Sequence, residues 1–499
     1  MNKNKFYIIN PIYKISGDVK RCIVTNNNSI FLDEKWGKNA RSFTWKLHPY
    51  LAYIFSHFDG NNTLNEIVSK ISKQFDVDEN YLLDVFSQII DNEEDLTVPL
   101  FDLGNSALPA HFIIEKPDNI DYINNILSQD KLNAILNEEI DMKTVRNYIP
   151  NSLTLMLGNK CVTNCIYCYA NTSHKVDSFL SLKRIKELIR EAYNLGMSDF
   201  EIGGGDFFVY PNWEEVLNEL HKYSFEPFIS TKFPIDEKIV EKLLKNNVRF
   251  IQLSIDSIDN KEIQKILNVK EDYLDKVLKG VKLLNDAGIG INIKPVITKY
   301  NDSESSLLNL IEYFSKYEMV KNISIAPAAH SMYKPFNYAT SSDKLDNLKK
   351  IINNIEHKYN FPIIFQGYEQ KVDIETKEKS FNNRSLCSGN VTSFYILPDG
   401  KVTICEQMYW HPFFILGDVT QQSIMDVWIS DKALSLWNYN QDEVREESPC
   451  KKCEDFEKCR RGRGNCWRCA IAAYGNDNFD YPAPNCPKAL PVERPYYII

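Results

Sequence analysis

Leu153-Thr-Leu-Met-Leu157-Gly-Asn-Lys-Cys161-Val-Thr-Asn-Cys165-Ile-Tyr167-Cys168-Tyr169 decides how this chain is read. It begins as a hydrophobic strand, Leu153–Leu157, and runs into three cysteines spaced C-x3-C-x2-C. Thiolates are soft ligands that prefer iron or zinc, and such spacings let one loop wrap a metal cluster. A four-iron cubane held by three cysteines keeps one iron open for a substrate group. A zinc loop, or unrelated buried thiols, are the readings that the three residues alone leave standing.

Strand-like runs follow at Asp199–Gly203, Pro227–Thr231, Phe250–Ile255, Ile289–Ile297 and Ile323–Ala326, with amphipathic helices between them. One such helix, Leu182–Leu195, turns Ile185, Leu188, Ile189 and Ala192 to one face and ends at Gly196. Alternating strands and helices predict a parallel sheet covered by helices. Six units predict an incomplete α/β barrel whose chemistry sits at the C-terminal strand ends. Polar segments lie at those ends. They are Glu201-Ile-Gly203-Gly204-Gly205-Asp206, Ser230-Thr231-Lys232 and Ser254-Ile255-Asp256-Ser257, with Lys294 and Thr298 further on. Taken singly, each reads equally well as a turn or a helix cap.

The cysteine loop, with Tyr167 just before its third cysteine, resembles the signature of radical S-adenosylmethionine (SAM) enzymes. The resemblance implies a [4Fe–4S] cluster on Cys161, Cys165 and Cys168 whose open iron chelates SAM. One electron passed to the sulfonium then yields a 5′-deoxyadenosyl radical. By the same resemblance Tyr167, Gly204, Gly205, Asp206, Ser230, Ser254 and Asp256 are expected around SAM. Gly204-Gly205-Asp206 is similar to the family's Gly-Gly-Glu segment, with a carboxylate one methylene shorter.

The other cysteines are clustered as well. Of twelve, Cys22 stands alone and eight lie between 387 and 486. The spacing is Cys387, Gly400-x4-Cys405, Cys450-x2-Cys453-x5-Cys459, Cys466-x2-Cys469 and Cys486. Eight thiolates suffice for two four-cysteine clusters, or for structural zinc. The pattern resembles the SPASM domain of auxiliary iron–sulfur clusters. That resemblance implies one cluster on Cys387, Cys405, Cys466 and Cys469 and a second on Cys450, Cys453, Cys459 and Cys486, three [4Fe–4S] clusters in all. Six residues separate Cys459 from Cys466 where the pattern has three, and Cys469 is additional.

Upstream, Ile8–Ile15 and Cys22–Leu32 read as strands around Ser16-Gly17-Asp18. Helices are expected over His48–Phe58, after the capping box Thr63-x2-Glu66, and after Asp78. The layout resembles the PqqD-like recognition element of enzymes that mature ribosomal peptides, a small winged-helix-like module. It implies that a precursor's leader segment adds as a strand to an exposed edge. The domains expected are therefore a leader-recognition module at 1–100, a helical linker at 101–150, a partial (β/α)6 radical SAM barrel at 151–375 and a SPASM-like domain at 376–499. The final stretch, from Tyr481 to Ile499, holds five prolines and reads as extended.

At 499 residues the chain has room for about three domains of roughly 150 residues. A net charge of −9 argues against non-specific nucleic-acid binding, which needs a basic surface. The first residues lack an apolar signal core, and no run approaches the ~18 apolar residues of a membrane span. A cytoplasmic location, where thiols stay reduced, is expected.

This architecture resembles sactipeptide and ranthipeptide synthases. It implies a precursor peptide as partner, a flavodoxin or ferredoxin as electron donor, and thioether cross-links as product. Epimerisation, carbon–carbon cross-linking, sulfatase-type maturation and a non-catalytic, metal-stabilised peptide binder are the competing readings.

Overall fold

The computed structural model describes residues 2–26, 43–99, 105–117, 127, 129–335, 337–366, 379, 381–382, 384, 386–461 and 464–492. Two compact units emerge, one of Met1–Ser152 with Ala192–Asp199, the other of Leu153–Glu191 with Phe200–Ile499.

In the first unit β1 (Phe6–Ile9) and β2 (Tyr13–Gly17) stand where one strand, Ile8–Ile15, was expected. Pro11 offers no N–H, and the Asn10 side chain accepts from the Ile12 amide at 3.2 Å, turning the chain between two sheets. β2 pairs antiparallel with β3 (Cys22–Asn26), which pairs with β4 (Thr44–Leu47). Residues 27–32 of the expected second strand lie outside the described residues. α1 (Pro49–Phe55), β5 (Asp59–Thr63), α2 (Leu64–Phe75) and α3 (Glu79–Ile89) follow. The expected capping box is present. Glu66 N donates to Thr63 Oγ1 at 3.4 Å, and Thr63 N donates to Glu66 Oε2 at 2.8 Å. Thr63→Ala should therefore cost about 1 kcal/mol, read as a lower denaturant midpoint at unchanged slope.

The segment 101–150, expected as a helical linker, holds strands besides a helix. β6 (Leu96–Pro99) and β7 (Asn105–Leu108) form a hairpin, and β8 (Ile113–Glu115) pairs antiparallel with β1 opposite β5. A three-residue strand carries no periodicity of its own, and partner β1 supplies its stability. One helix, α4 (Gln129–Leu136), does fall in that segment. The core joins Tyr7, Ile9, Ile15, Val24, Phe55, Phe58, Ile67, Phe86 and Phe112. Cys22 lies within it, its thiol pushed up to about 12 by burial and then by the charge of Asp18.

The second unit starts on β9 (Ser152–Gly158), followed by α5 (Leu182–Asn194), β10 (Asp199–Gly204), α6 (Trp213–Lys222), β11 (Ser230–Thr231), α7 (Glu237–Lys245), β12 (Phe250–Leu253), α8 (Asn260–Leu267), α9 (Tyr273–Asp286), β13 (Gly290–Ile293), β14 (Val296–Ile297), α10 (Glu304–Phe314) and β15 (Val320–Pro327). β9 and β10 are neighbours, and β11, β12, β13 and β15 pair in parallel in that order. Five of the six expected strands are present, Pro227–Thr231 shortened to β11, and the expected Ile289–Ile297 is two strands, β13 and β14, divided at Lys294-Pro295, where proline has no N–H for the ladder. α11 (Ser342–Ile355) and β16 (Ile363–Phe365) extend them, β16 pairing parallel with β15.

Beyond the barrel β17 (Ser393–Ile396), β18 (Lys401–Thr403) and β19 (Ile415–Asp418) form an antiparallel meander, and β17 joins the sheet edge beside β9. The cysteine-rich end thus continues the barrel's own sheet. α12 (Ile424–Trp428), α13 (Asp431–Trp437), α14 (Phe456–Arg461) and α15 (Trp467–Tyr474) complete it. No described helix is long and apolar enough to cross a membrane.

Candidate active site

Cys161, Cys165 and Cys168 lie on the loop leaving β9, at the C-terminal end of the first barrel strand. The loop is fixed through its backbone. Asn164 N donates to Leu267 O at 2.8 Å and Ile166 N to Ile266 O at 3.0 Å, satisfying carbonyls that the end of α8 leaves open. The Ser331 hydroxyl donates to Cys168 O at 2.6 Å. Cys168 also packs beside Met156, Ala170, Leu397 and Tyr409, which ties the loop to the β17–β18 hairpin.

The glycines of the next strand end serve the same loop. Gly205 N donates to Gly158 O at 2.6 Å, and Asp206 N to Lys160 O at 2.9 Å. A Cβ on Gly205 would lie 2.3 Å from Lys160 O, and one on Gly204 (φ +96°) 2.5 Å from Gly158 O. Both positions require glycine because backbone meets backbone at Gly158 and Lys160, on the approach to Cys161.

Asp206 is buried and occupied within the protein. Its carboxylate accepts from the Thr231 hydroxyl at 2.8 Å, Lys232 N at 2.9 Å and Phe208 N at 3.2 Å. These bonds lock the end of β10 to the end of β11. Burial nonetheless pushes the carboxyl up from its ordinary value, against the pull of those donors.

Asp256 is the second hub, with a fully buried side chain. It accepts from Tyr167 OH at 2.7 Å, Lys232 Nζ at 3.1 Å and Val296 N at 2.9 Å. Lys232 also donates to Ser254 O at 2.7 Å and lies 5.7 Å from the Tyr167 ring centroid. Tyr167, Lys232 and Asp256 thus tie the cysteine loop to the third, fourth and fifth strands. Burial first, then Asp256, holds the Tyr167 hydroxyl far above its ordinary value, so it stays a donor. Tyr167→Phe should cost about 1.5–3 kcal/mol, the range for a bond to a charged acceptor, measured by urea unfolding. Ser230 and Ser254 are bridged by Gln252, whose Nε2 donates at 2.5 Å and 3.2 Å. Ser230 is exposed and Ser254 half-buried, which leaves both within reach of a ligand.

The residues fit a metal cluster. Cys161 is open to solvent on one side and ringed by protein elsewhere. Its thiol is pushed up to about 12, by burial first and then by negative charge on Asp206, Cys168 and Cys165. Cys165 and Cys168 are also raised by burial, with Lys232 opposing. Thiolates so placed repel one another until a cation joins them, and a coordinating thiol gives up its proton outright. Among the described residues no His, Cys, Asp or Glu group converges tightly enough for a single ion.

The C-terminal cysteines fall into two groups. Cys387 is raised by burial and by charge on Cys466. Cys405 is pushed up to about 12 by burial, with Cys466 adding and Arg468 opposing. Cys469 donates to Cys466, which keeps Cys466 the more acidic of the two, below its ordinary value. Separately, burial pushes Cys450 up to about 11, with Cys486 and Cys453 adding. Cys486 is raised by burial, Cys459 and Cys453.

Glu406 and Arg468 escaped the sequence reading, and Lys232, quoted within Ser230-Thr231-Lys232, was given no role of its own, although each adjoins a motif. Lys232 follows Thr231, Glu406 follows Cys405, and Arg468 stands between Cys466 and Cys469. Glu406 is near Tyr169, with Tyr169 OH 3.5 Å from Glu406 Oε2, so the residue after Cys168 meets the residue after Cys405. Their only sequence signal was that adjacency.

A partial barrel, three cysteines at its first strand end and a cysteine-rich extension are the arrangement of the radical SAM fold with a C-terminal auxiliary iron–sulfur domain. Residues 155–314 match the Radical SAM superfamily, and residues 387–454 match SPASM, an iron-sulfur cluster-binding domain. The chain is 22% identical over 327 residues to the antilisterial bacteriocin subtilosin biosynthesis protein AlbA of Bacillus subtilis (strain 168), covering 64% of this chain and 67% of AlbA. A probable GTP 3′,8-cyclase of Pyrococcus horikoshii (strain ATCC 700860 / DSM 12428 / JCM 9974 / NBRC 100139 / OT-3) is 24% identical over 272 residues, covering 51% of this chain and 83% of the cyclase. In fold the chain matches Streptococcus suis SuiB bound to S-adenosylmethionine, with a TM-score of 0.64 at 16% identity over 96% of this chain and 99% of SuiB. SuiB bound to the precursor peptide SuiA matches with a TM-score of 0.63 at 16% identity, over 96% and 100%.

Proposed function

We propose that this enzyme modifies a ribosomally made precursor peptide, joining cysteine sulfur to carbon in thioether cross-links. The observation that carries the reading is the meeting of the two cysteine regions. Tyr169, next to Cys168, has its hydroxyl 3.5 Å from a carboxylate oxygen of Glu406, next to Cys405, which sets the two cysteine segments side by side. Similarity in the barrel alone does not choose a substrate, since a GTP cyclase shares it. The likeness to a bacteriocin biosynthesis protein extends over more of the chain, and SuiB, matched nearly end to end, is known with a precursor peptide bound.

Residues 1–100 are the proposed leader-recognition module, continued by β7 and β8, with 151–375 the barrel and 376–499 the auxiliary domain. Cys161, Cys165 and Cys168 would hold the cluster that binds SAM. Cys387, Cys405, Cys466 and Cys469 would hold one auxiliary [4Fe–4S] cluster, and Cys450, Cys453, Cys459 and Cys486 the other. When bound, these groups supply a hydrogen-abstracting radical and a route for one electron. The protein contributes binding and shape. Tyr167 and Lys232 stay anchored on Asp256, Asp206 fixes the glycine turn under the cysteine loop, and Gly204, Gly205, Ser230 and Ser254 remain the surface nearest SAM. A flavodoxin or ferredoxin donor in the cytoplasm completes the reading, with no nucleic acid or membrane as partner.

Mass spectrometry of a cysteine-containing precursor after anaerobic turnover tests it. A loss of two hydrogens per link that leaves fewer alkylatable thiols supports the thioether. The same loss with every thiol intact points to a carbon–carbon link. An unchanged mass with altered stereochemistry points to epimerisation.

A further inference from the structure

Each C-terminal cysteine group has a guanidinium of its own. Arg384 reaches Cys459, with Nη2 at 3.2 Å from Sγ. Arg468 serves the other group, with Nη2 at 3.6 Å from Cys469 Sγ and Nη1 donating to Gln407 Oε1 at 2.7 Å. Gln407 follows Cys405 by two residues, and its carbonyl accepts from Tyr333 OH at 3.1 Å. Arg468 is thereby clamped between both ends of one set, Cys405 on one side and Cys466 and Cys469 on the other.

We propose that Arg468, held by Gln407, is a positioning residue that raises the reduction potential of the cluster on Cys387, Cys405, Cys466 and Cys469, so that this cluster can take up the electron released in cross-linking. The inference rests on the thioether reading. Reduction adds one negative charge to a thiolate-ligated cluster. A fixed cation donating N–H to a ligand sulfur stabilises the reduced form more than the oxidised one. The chemistry requires such an acceptor. Hydrogen abstraction turns the deoxyadenosyl radical into 5′-deoxyadenosine and leaves a carbon radical on the peptide. The cysteine thiol gives up its proton to solvent water, and its thiolate bonds to that carbon. The resulting radical anion holds one electron too many. That electron passes to the oxidised iron–sulfur cluster, and the closed-shell thioether remains.

The test is a potentiometric titration of the reconstituted full-length enzyme followed by electron paramagnetic resonance. Arg468→Gln should move one reduction wave to more negative potential and leave the other two in place. Arg468→Lys should return it part of the way. Unmoved waves at full iron content overturn the proposal. If Arg468→Gln fails to hold its cluster, Gln407→Leu, which keeps every thiol and Arg468 itself, decides. A smaller shift in the same direction supports the proposal, and an unmoved wave overturns it. Thioether product is measured in parallel. If unaltered enzyme forms none while the wave still moves, the substrate reading fails and the role of Arg468 in setting the potential stands.

Discussion

Alanine at Cys161, Cys165 and Cys168 together should abolish 5′-deoxyadenosine formation from SAM under dithionite and lower bound iron by the share of one cluster. The three sulfurs share one loop, clamped at Asn164, Ile166 and Cys168 by backbone bonds that do not involve the thiols. Removing the sulfurs should therefore leave the fold in place, and circular dichroism should match the unaltered protein. Alanine at Cys450, Cys453, Cys459 and Cys486 is the contrast. It should spare SAM cleavage and remove the cross-linked product, because that group lies apart from the loop in sequence and interacts within itself. Deoxyadenosine from a reduced, iron-loaded variant lacking the first three cysteines would end the assignment.

The second large effect is expected from one methyl group. In Gly205→Ala the new Cβ meets Lys160 O at 2.3 Å and Lys160 N at 2.7 Å, both backbone atoms that cannot rotate away. The chain beside Cys161 must shift, which overpacking places at about 1–3 kcal/mol. Cluster ligands depend on such supports, and their loss typically costs about 10–100-fold in metal affinity or activity. Iron content and deoxyadenosine rate should both fall, with a smaller change in unfolding midpoint than in rate. Gly196→Ala is the control. A Cβ there meets nothing within 4 Å, although φ is +76°, so stability falls by about 1 kcal/mol and turnover is unchanged.

The glycine substitution bears on how the turn at Gly204-Gly205-Asp206 is read. As sequence, Gly204-Gly205-Asp206 reads as room for a ligand. In the fold the glycines make room for the backbone at Lys160, and Asp206 binds Thr231 and Lys232. Glycine marks a close approach without naming what approaches.

Sequence alone determined what is local. The strand-to-cysteine loop, the barrel strands and the Thr63 capping box each depend on residues within a few positions, where spacing and periodicity act directly. Tertiary structure decided what depends on chain closure. It paired β8 with β1 across the segment expected to be a linker, and it gathered Tyr167, Lys232 and Asp256 from three strand ends. It also brought Glu406 to Tyr169 and Arg468 to Gln407. These contacts join residues far apart in the chain, and a single charged side chain carries no mark of which distant partner its burial will require.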